Sequence, residues 1–240
     1  MEASRIKELS LIAAKIRLGV IESTHAAGAG HPGGSLSIAD IMAYLYFEEM
    51  NVKVEDPRCE DRDRFVLSAG HGSMLIYSLL HLFNYGLKME DLQNFRQWES
   101  LTPGHPEYGH TAGVDITTGP LGSGFASAVG MAIANRFFAA RTGLDQTEFF
   151  PNKIFVISGD GCMMEGCTSE SASLAGHLKL DELVVFYDDN NISIEGNTAI
   201  AFTEDVAARF AAYNWRVIRC DNANDIEKCD AALAEAVKSD

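Results

Sequence analysis

Short apolar runs alternate with longer amphipathic segments in the second half of the chain. The runs at 153–158 and 183–187 are rich in β-branched and aromatic residues and predict buried strands. Between them, residues 168–179 have the spacing of a helix. Because a strand, a helix and a second strand in this order are typical of a parallel sheet, the pattern predicts an α/β fold.

The N-terminal third has helical spacing instead. Apolar residues recur three or four positions apart through the first 20 residues, and a second helical segment at 38–46 follows a glycine–proline break. The pattern also predicts further elements, which are strands at 64–68 and 215–219 and helices at 122–138 and 225–237. The predicted fold class is therefore α/β, a parallel sheet with helices on both faces, in one domain spanning 1–240.

Polar residues follow both central strands. Gly159, Asp160 and Gly161 end the first, and Asn190 ends the second, thirty residues after Asp160. Ligands of such units bind beyond the carboxyl ends of the strands. The Asp160 carboxylate, the Asn190 amide oxygen and a carbonyl near Ile192 are ligands that Mg²⁺ prefers, with Ca²⁺ or Mn²⁺ as substitutes, and a diphosphate would complete the shell. The two glycines and the next helix N-terminus favour that anion, so the sequence predicts a metal–diphosphate site.

Among the histidines that directly follow a glycine, three lie in predicted turns next to a regular element. They are His31, His71 and His105. An imidazole titrates near neutral pH and suits proton transfer to and from a hydroxyl or carbonyl oxygen. For each histidine taken alone, a turn or hydrogen-bonding role is an equal alternative.

Composition narrows the class of protein. The chain is 47% apolar with a mean hydropathy of -0.02, and its apolar runs are too short to span a membrane. A net charge of -15 argues against nucleic acid as a partner. The five cysteines include no C-x-x-C pair, which argues against a disulfide framework or a zinc site. The first residues lack a signal-peptide pattern, so we expect a cytoplasmic protein.

Six motifs resemble those of transketolases in order and spacing. They are GHPGG at 30–34, SAGHG at 68–72, TPGHPE at 102–107, TTGPLG at 117–122, GDGCMMEG at 159–166 and SLAGHL at 173–178, followed by Asn190. The resemblance covers nearly the whole chain. It implies the thiamine-diphosphate-binding fold, with this chain as the diphosphate-binding domain, and it implies thiamine diphosphate and Mg²⁺ as cofactors.

The resemblance also implies roles for individual residues. His31 and His105 match positions that contact the donor sugar's hydroxyls and assist proton transfer, and His71 matches a histidine near the diphosphate and the reaction centre. Gly119 and Leu121 match positions that flank the aminopyrimidine and thiazolium rings.

A second group of positions matches cofactor contacts and contacts with other chains. Gly161 matches a backbone contact to the diphosphate, and Glu165 resembles a glutamate in a hydrogen-bond network that crosses subunits. Glu170 and Asp188 resemble acidic residues near the cofactor and its partner domain. A carboxylate near a helix start can also simply complement the helix dipole.

Transketolases transfer a two-carbon ketol unit from a ketose, usually phosphorylated, to an aldose. Family members carry a pyrimidine-binding and a C-terminal domain beyond the diphosphate-binding domain. We therefore expect the N-terminal subunit of a split transketolase, a transferase that acts with a second chain carrying the pyrimidine-binding domain, in an α2β2 heterotetramer. The alternatives are a related ketol transferase, such as deoxyxylulose-phosphate synthase or dihydroxyacetone synthase, and a non-catalytic binding module. The TPGHPE motif favours the transketolase.

Overall fold

The computed structural model describes residues 1–143 and 152–238. Up to residue 143, the regular elements in chain order are helices α1 (Ala3–Ala27), α2 (Pro32–Ser37) and α3 (Ala39–Tyr44), a π-helical turn (Leu45–Glu49), strand β1 (Arg64–Leu67), a 3-10 turn (Gly70–Gly72), and helices α4 (Ser73–Leu82), α5 (Met89–Gln93) and α6 (Ser123–Thr142). From residue 152 onward they are strand β2 (Ile154–Gly159), helices α7 (Asp160–Met163) and α8 (Gly166–Leu178), and strands β3 (Leu183–Asp188), β4 (Ile192–Ser193) and β5 (Gly196–Asn197). A 3-10 turn (Thr198–Ile200) and helices α9 (Val206–Ala212) and α10 (Ile226–Ala236) follow. None of the helices in this described part is both long and apolar enough to cross a bilayer.

The chain divides into two compact units. The helical unit comprises Met1–Arg62, Gly70–Thr117 and Ile218–Asp240, and the sheet unit comprises Asp63–Ala69 and Thr118–Val217.

The helical unit is built around α1. This helix buries Leu9, Ala13, Ile16 and Val20 completely, which is the single apolar face that their spacing predicts. That face packs against α3, α4, α5 and α10. Because α4 starts directly after the 3-10 turn that contains His71, the packing of α4 holds this histidine in place.

The sheet unit contains a parallel three-stranded sheet in the order β1–β2–β3. Val156 in β2 lies beside Val66 in β1 and Val185 in β3. Helix α6 packs on all three strands and on α8. The predicted strands at 64–68, 153–158 and 183–187 and the predicted α/β fold class are therefore confirmed.

The predicted strand at 215–219 is wrong. Asn214 has a φ of 67°, in the left-handed region, which ends the regular structure after α9. The Trp215 indole N–H donates to the Ala172 carbonyl at 2.8 Å, and its ring centroid lies 5.4 Å from that of Phe210. The large side chain that suggested a strand instead anchors the chain to α8 and α9 through aromatic packing.

Gly176→Ala is expected to destabilise the sheet unit severely. A Cβ at position 176 of α8 would lie 1.8 Å from the Tyr213 carbonyl oxygen, a backbone atom, so the chain itself would have to move. Overpacking of a core costs about 1–3 kcal/mol and more when the backbone shifts, and we expect a loss of at least about 3 kcal/mol. Urea unfolding followed by circular dichroism measures it.

The matched control is Gly130→Ala on an exposed part of α6, where a Cβ meets no atom within 4 Å. This change should stabilise the chain by about 0.5–1 kcal/mol, because alanine is the better helix former. An unfolding midpoint of Gly176→Ala at or above that of the wild type would contradict the close packing of α8 on the segment after α9.

Candidate functional site

The predicted site residues form two clusters, and each cluster lies within one unit. The strand-end cluster of the sheet unit comprises Asp160, Asp188, Asn190 and Ile192. The histidine cluster of the helical unit comprises His31, His71 and His105.

Asp160 is the buried centre of the strand-end cluster. It is the first residue of α7, directly after β2, and is only 4% exposed. Its Oδ1 accepts a hydrogen bond from the Tyr187 hydroxyl on β3 at 2.5 Å, whereas its Oδ2 is buried without a hydrogen-bond partner among the described residues. Burial raises the pKa of this carboxyl above its usual range, although the Tyr187 hydroxyl acts in the opposite direction. A buried acceptor without a donor is unfavourable unless a bound group satisfies it.

A tight turn after β3 lies next to this carboxylate. The Asn190 Oδ1 accepts the Ile192 N–H at 2.9 Å, and the Asn190 Nδ2 donates to Asp188 Oδ2 at 2.9 Å. Asn191 takes a left-handed φ of 60°, as the centre of such an Asx turn often does. The backbone N–H groups of Asn191 and Ile192 face Asp160 and lower its pKa, and β4 packs against α7. The structure thus brings together the residues predicted to hold the metal.

This set of oxygen atoms fits a hard divalent cation. Asp160 Oδ2 has no hydrogen-bond partner within residues 1–143 and 152–238, and Asn190 Oδ1 keeps a second lone pair beside the one that accepts the Ile192 N–H. The described part of the chain contains no group of three histidine, cysteine, aspartate or glutamate side chains that could hold a metal. A cation here would therefore rely on one carboxylate, an amide, a carbonyl, phosphate oxygens and water, which is the mixture that Mg²⁺ accepts.

The two glycines that flank Asp160 differ in their surroundings. A Cβ at Gly159 would meet no atom within 4 Å, so this backbone borders open space. A Cβ at Gly161 would lie 2.9 Å from Leu121 Cδ1, so the loop of Gly119 and Leu121 touches α7. Space for an anion beside Gly159 and a loop against Gly161 are both consistent with the predicted cofactor contacts.

Helix α8 confirms the helix predicted at 168–179, and a separate helical turn that the spacing did not predict precedes it. A single turn, α7, is followed by α8, and Glu165 between them has an extended ψ of 137°. Glu165 and Glu170 are both exposed at the start of α8. Neither joins the hydrogen bonds of the strand-end cluster in the described structure, so their predicted roles depend on groups outside this chain.

In the histidine cluster, three turns bring the imidazoles together. His31 directly precedes α2, and His71 lies in the 3-10 turn before α4. Their ring centroids are 5.4 Å apart, in an edge-to-face arrangement with an interplanar angle of 72°. His105 is near enough to influence the pKa of both rings.

The loop of His105 is anchored by the first turns of α4. The single O–H of Tyr77 is shared between the carbonyl oxygens of Pro103 at 2.9 Å and His105 at 3.2 Å. The Ser73 hydroxyl donates to the Gly104 carbonyl at 2.8 Å. Three consecutive carbonyls are therefore held by one helix, which fixes the backbone of the TPGHPE motif.

All three imidazoles have lowered pKa values. Partial burial is the largest cause in each, followed by the positive charge of Arg96 for His31 and His105, and by the other two histidines for His71. The rings are therefore neutral at physiological pH. Sequence reasoning missed Arg96, whose only signal was an arginine shortly before the TPGHPE motif in an acidic chain.

Comparisons with known proteins identify the family of this chain. A family model described as "Transketolase, thiamine diphosphate binding domain" matches residues 9–240. The chain is 51% identical over 234 residues to a transketolase of Geobacillus stearothermophilus, covering 98% of this chain and 35% of that protein. It is also 51% identical over 225 residues to transketolase 1 of Escherichia coli K12, covering 94% of this chain and 34% of the relative.

Solved structures give the same result. The transketolase from Leishmania mexicana superposes with a TM-score of 0.93 at 44% identity, over 96% of this chain and 35% of that one. The enzyme from Campylobacter jejuni gives a TM-score of 0.92 at 43% identity, over 100% of this chain and 36% of that one. The chain thus spans about a third of the length of these relatives.

Proposed function

Because this chain belongs to the transketolase family, in which it corresponds to the thiamine diphosphate-binding domain, we propose that it is the N-terminal subunit of a transketolase. Residues 1–240 act as one diphosphate-binding domain with a separate subunit that carries the pyrimidine-binding domain, two copies of each, in the cytoplasm. The assembly transfers a two-carbon ketol unit from a ketose or its phosphate to an aldose or its phosphate.

The observation that carries the proposal is the buried Oδ2 of Asp160, which has no hydrogen-bond partner in the part of the chain that the structure describes. With the Asn190 amide oxygen and the Ile192 carbonyl, it holds Mg²⁺, while the open backbone side of Gly159 and the adjacent Gly161 admit the diphosphate. When bound, thiamine diphosphate supplies the carbon–carbon chemistry.

The protein's own contribution is binding and proton transfer. Neutral imidazoles bind the sugar's hydroxyl and carbonyl oxygens and assist proton transfer, with His31 and His105 on the donor sugar and His71 near the diphosphate. The remaining assignments are contacts to the cofactor's rings by Gly119 and Leu121, and contacts toward the partner domain by Glu165, Glu170 and Asp188.

Adding this chain to the pyrimidine-domain subunit, with Mg²⁺ and thiamine diphosphate, is expected to produce ketol transfer that neither chain shows alone. A coupled assay with a ketose phosphate donor and an aldose phosphate acceptor measures the rate, and the Asp160→Asn chain is the inactive control. Transfer that uses pyruvate as donor instead would identify a related enzyme, and the absence of transfer from every ketose would overturn the proposal.

The proposal of a separate subunit has its own test, which is the size of the protein in its native cells. A band near 26.1 kDa on an immunoblot is expected for a 240-residue subunit. A band about three times larger would overturn the two-subunit arrangement and would leave the family assignment intact.

A further inference from the structure

A guanidinium group contacts one ring nitrogen of the histidine cluster. The Arg96 Nη2 lies 3.2 Å from His31 Nδ1. We infer that Arg96 fixes the tautomer of His31 with the proton on Nε2, so that His31 acts as a hydrogen-bond donor and Arg96 as its positioning residue. The consequence for ketol transfer rests on the proposed function, but the tautomer itself does not.

The chemistry of the two groups leaves one arrangement. A guanidinium has five N–H donors and no acceptor, so His31 Nδ1 must be the acceptor in this contact. A neutral imidazole with an unprotonated Nδ1 carries its hydrogen on Nε2. While the contact stands, the ring can offer only an N–H to a substrate oxygen, and it could take up a second proton only by breaking the contact with Arg96.

The arginine is held in place by packing. Arg96 has a left-handed φ of 63°, and its backbone N–H donates to the Thr102 carbonyl at 3.0 Å. The guanidinium lies 5.3 Å from the centroid of the Phe95 ring, a cation–π contact, and its Nε is buried without a hydrogen-bond partner among the described residues. A Cβ at Gly104 would lie 3.1 Å from this Nε, so the absence of a side chain at 104 leaves the space that the guanidinium fills.

The surroundings of His31 favour the neutral ring. Among the described residues, the charged and titratable groups that contact it or influence its pKa are Arg96, His71 and His105. None of these groups supplies a negative charge to stabilise an imidazolium, and partial burial and Arg96 both lower the pKa of His31. The three histidines therefore have different roles. His31 donates a hydrogen bond, whereas His71 and His105 are available to accept protons.

Long-range ¹H–¹⁵N correlation spectra of the ¹⁵N-labelled chain test the tautomer directly. In the wild type we expect an unprotonated Nδ1 and a protonated Nε2 for His31. Arg96→Met should give a mixture of both tautomers and a higher pKa for His31, and Arg96→Lys, which keeps a donor, should retain part of the wild-type pattern. Gly104→Ala keeps the arginine but displaces its guanidinium group. It should give a tautomer pattern between those of the wild type and Arg96→Met.

The controls separate this local contact from a general loss of charge. Arg141→Met makes the same chemical change at an exposed position of α6 and should leave His31 unchanged. His25, exposed in the last turn of α1, is the internal reference in every spectrum. A wild-type tautomer of His31 in both Arg96→Met and Gly104→Ala would overturn the inference.

The complete enzyme then tests the role of the donor. Arg96→Met should lower kcat about tenfold to a hundredfold and move the acid limb of the pH–rate profile, whereas a purely structural role would leave the profile in place. An unchanged profile would overturn the donor role. A shifted tautomer together with no ketol transfer by the wild type would instead overturn the proposed function and leave the Arg96–His31 contact established.

Discussion

Asp160→Asn is expected to abolish the Mg²⁺-dependent binding of thiamine diphosphate while the chain stays folded. Asp160 is the one buried acidic residue of the strand-end cluster, and its Oδ2 has no hydrogen-bond partner among the described residues. Asparagine keeps the shape and can still accept the Tyr187 hydroxyl, but it removes the charge that holds the cation. Without the cation, the negatively charged diphosphate loses the positive charge that would bind it to this cluster.

The effect is measurable as lost ligand stabilisation. At a cofactor concentration about 100 times its Kd, binding stabilises the folded wild type by about 2.7 kcal/mol, and each kcal/mol raises the Tm by about 2–4 °C for a chain of this size. We expect this rise to vanish in Asp160→Asn and to persist in Asp189→Asn, which removes an equal charge from an exposed neighbour. If the cofactor raised the Tm of Asp160→Asn as much as that of the wild type, Asp160 would not be a metal ligand.

The binding should also weaken in acid at a higher pH than for an ordinary aspartate. The cation needs the ionised carboxylate, and burial raises the pKa of Asp160, so binding is lost as the pH falls through that raised pKa. Tyr187→Phe removes the hydrogen bond that lowers this pKa and should move the loss to a still higher pH. Tyr213→Phe, a change outside the cluster, should leave the pH dependence of binding unchanged. The phosphates of the cofactor also titrate, and the ratio of variant to wild-type affinity at each pH cancels their contribution.

The strand-end cluster could be predicted from the sequence because its geometry follows from local pattern. The runs around Val156 and Val185 are apolar and β-branched, which indicates adjacent parallel strands. Parallel strands place their carboxyl ends at one edge of the sheet, so Asp160 and Asn190 had to be close in space. A turn of three residues then completes the cluster.

Other features could not be predicted because they depend on contacts between distant segments. His31 and Arg96 are 65 positions apart, and the arginine that contacts the ring has a positive φ, a conformation that arginine rarely takes. Trp215 lies in an apolar pattern typical of a strand, but its indole N–H donates a hydrogen bond to the carbonyl of Ala172 on α8. In both cases tertiary contacts overrode a local preference.

His105→Asn is expected to lower ketol transfer by the complete enzyme by about 10²–10⁴-fold, the usual contribution of a proton-transfer group, without weakening cofactor binding. The Tyr77 hydroxyl and the Ser73 hydroxyl anchor the backbone of this loop, so the variant should keep the loop in place and lose only the imidazole. A change that destroyed the loop would instead weaken stability and binding together.

The pH dependence identifies the role of this imidazole. Burial and the charge of Arg96 lower the pKa of His105, so the ring stays neutral and able to accept a proton until the pH falls below the usual histidine range. The wild-type rate should therefore fall only as the pH drops through that lowered pKa, and His105→Asn should lose this limb. His25→Asn, at an exposed position, is the matched control and should keep both the rate and the limb. If His105→Asn kept more than a tenth of the wild-type rate and the acid limb stayed intact, His105 would not be a proton-transfer group. His71 would then be the remaining candidate for that role.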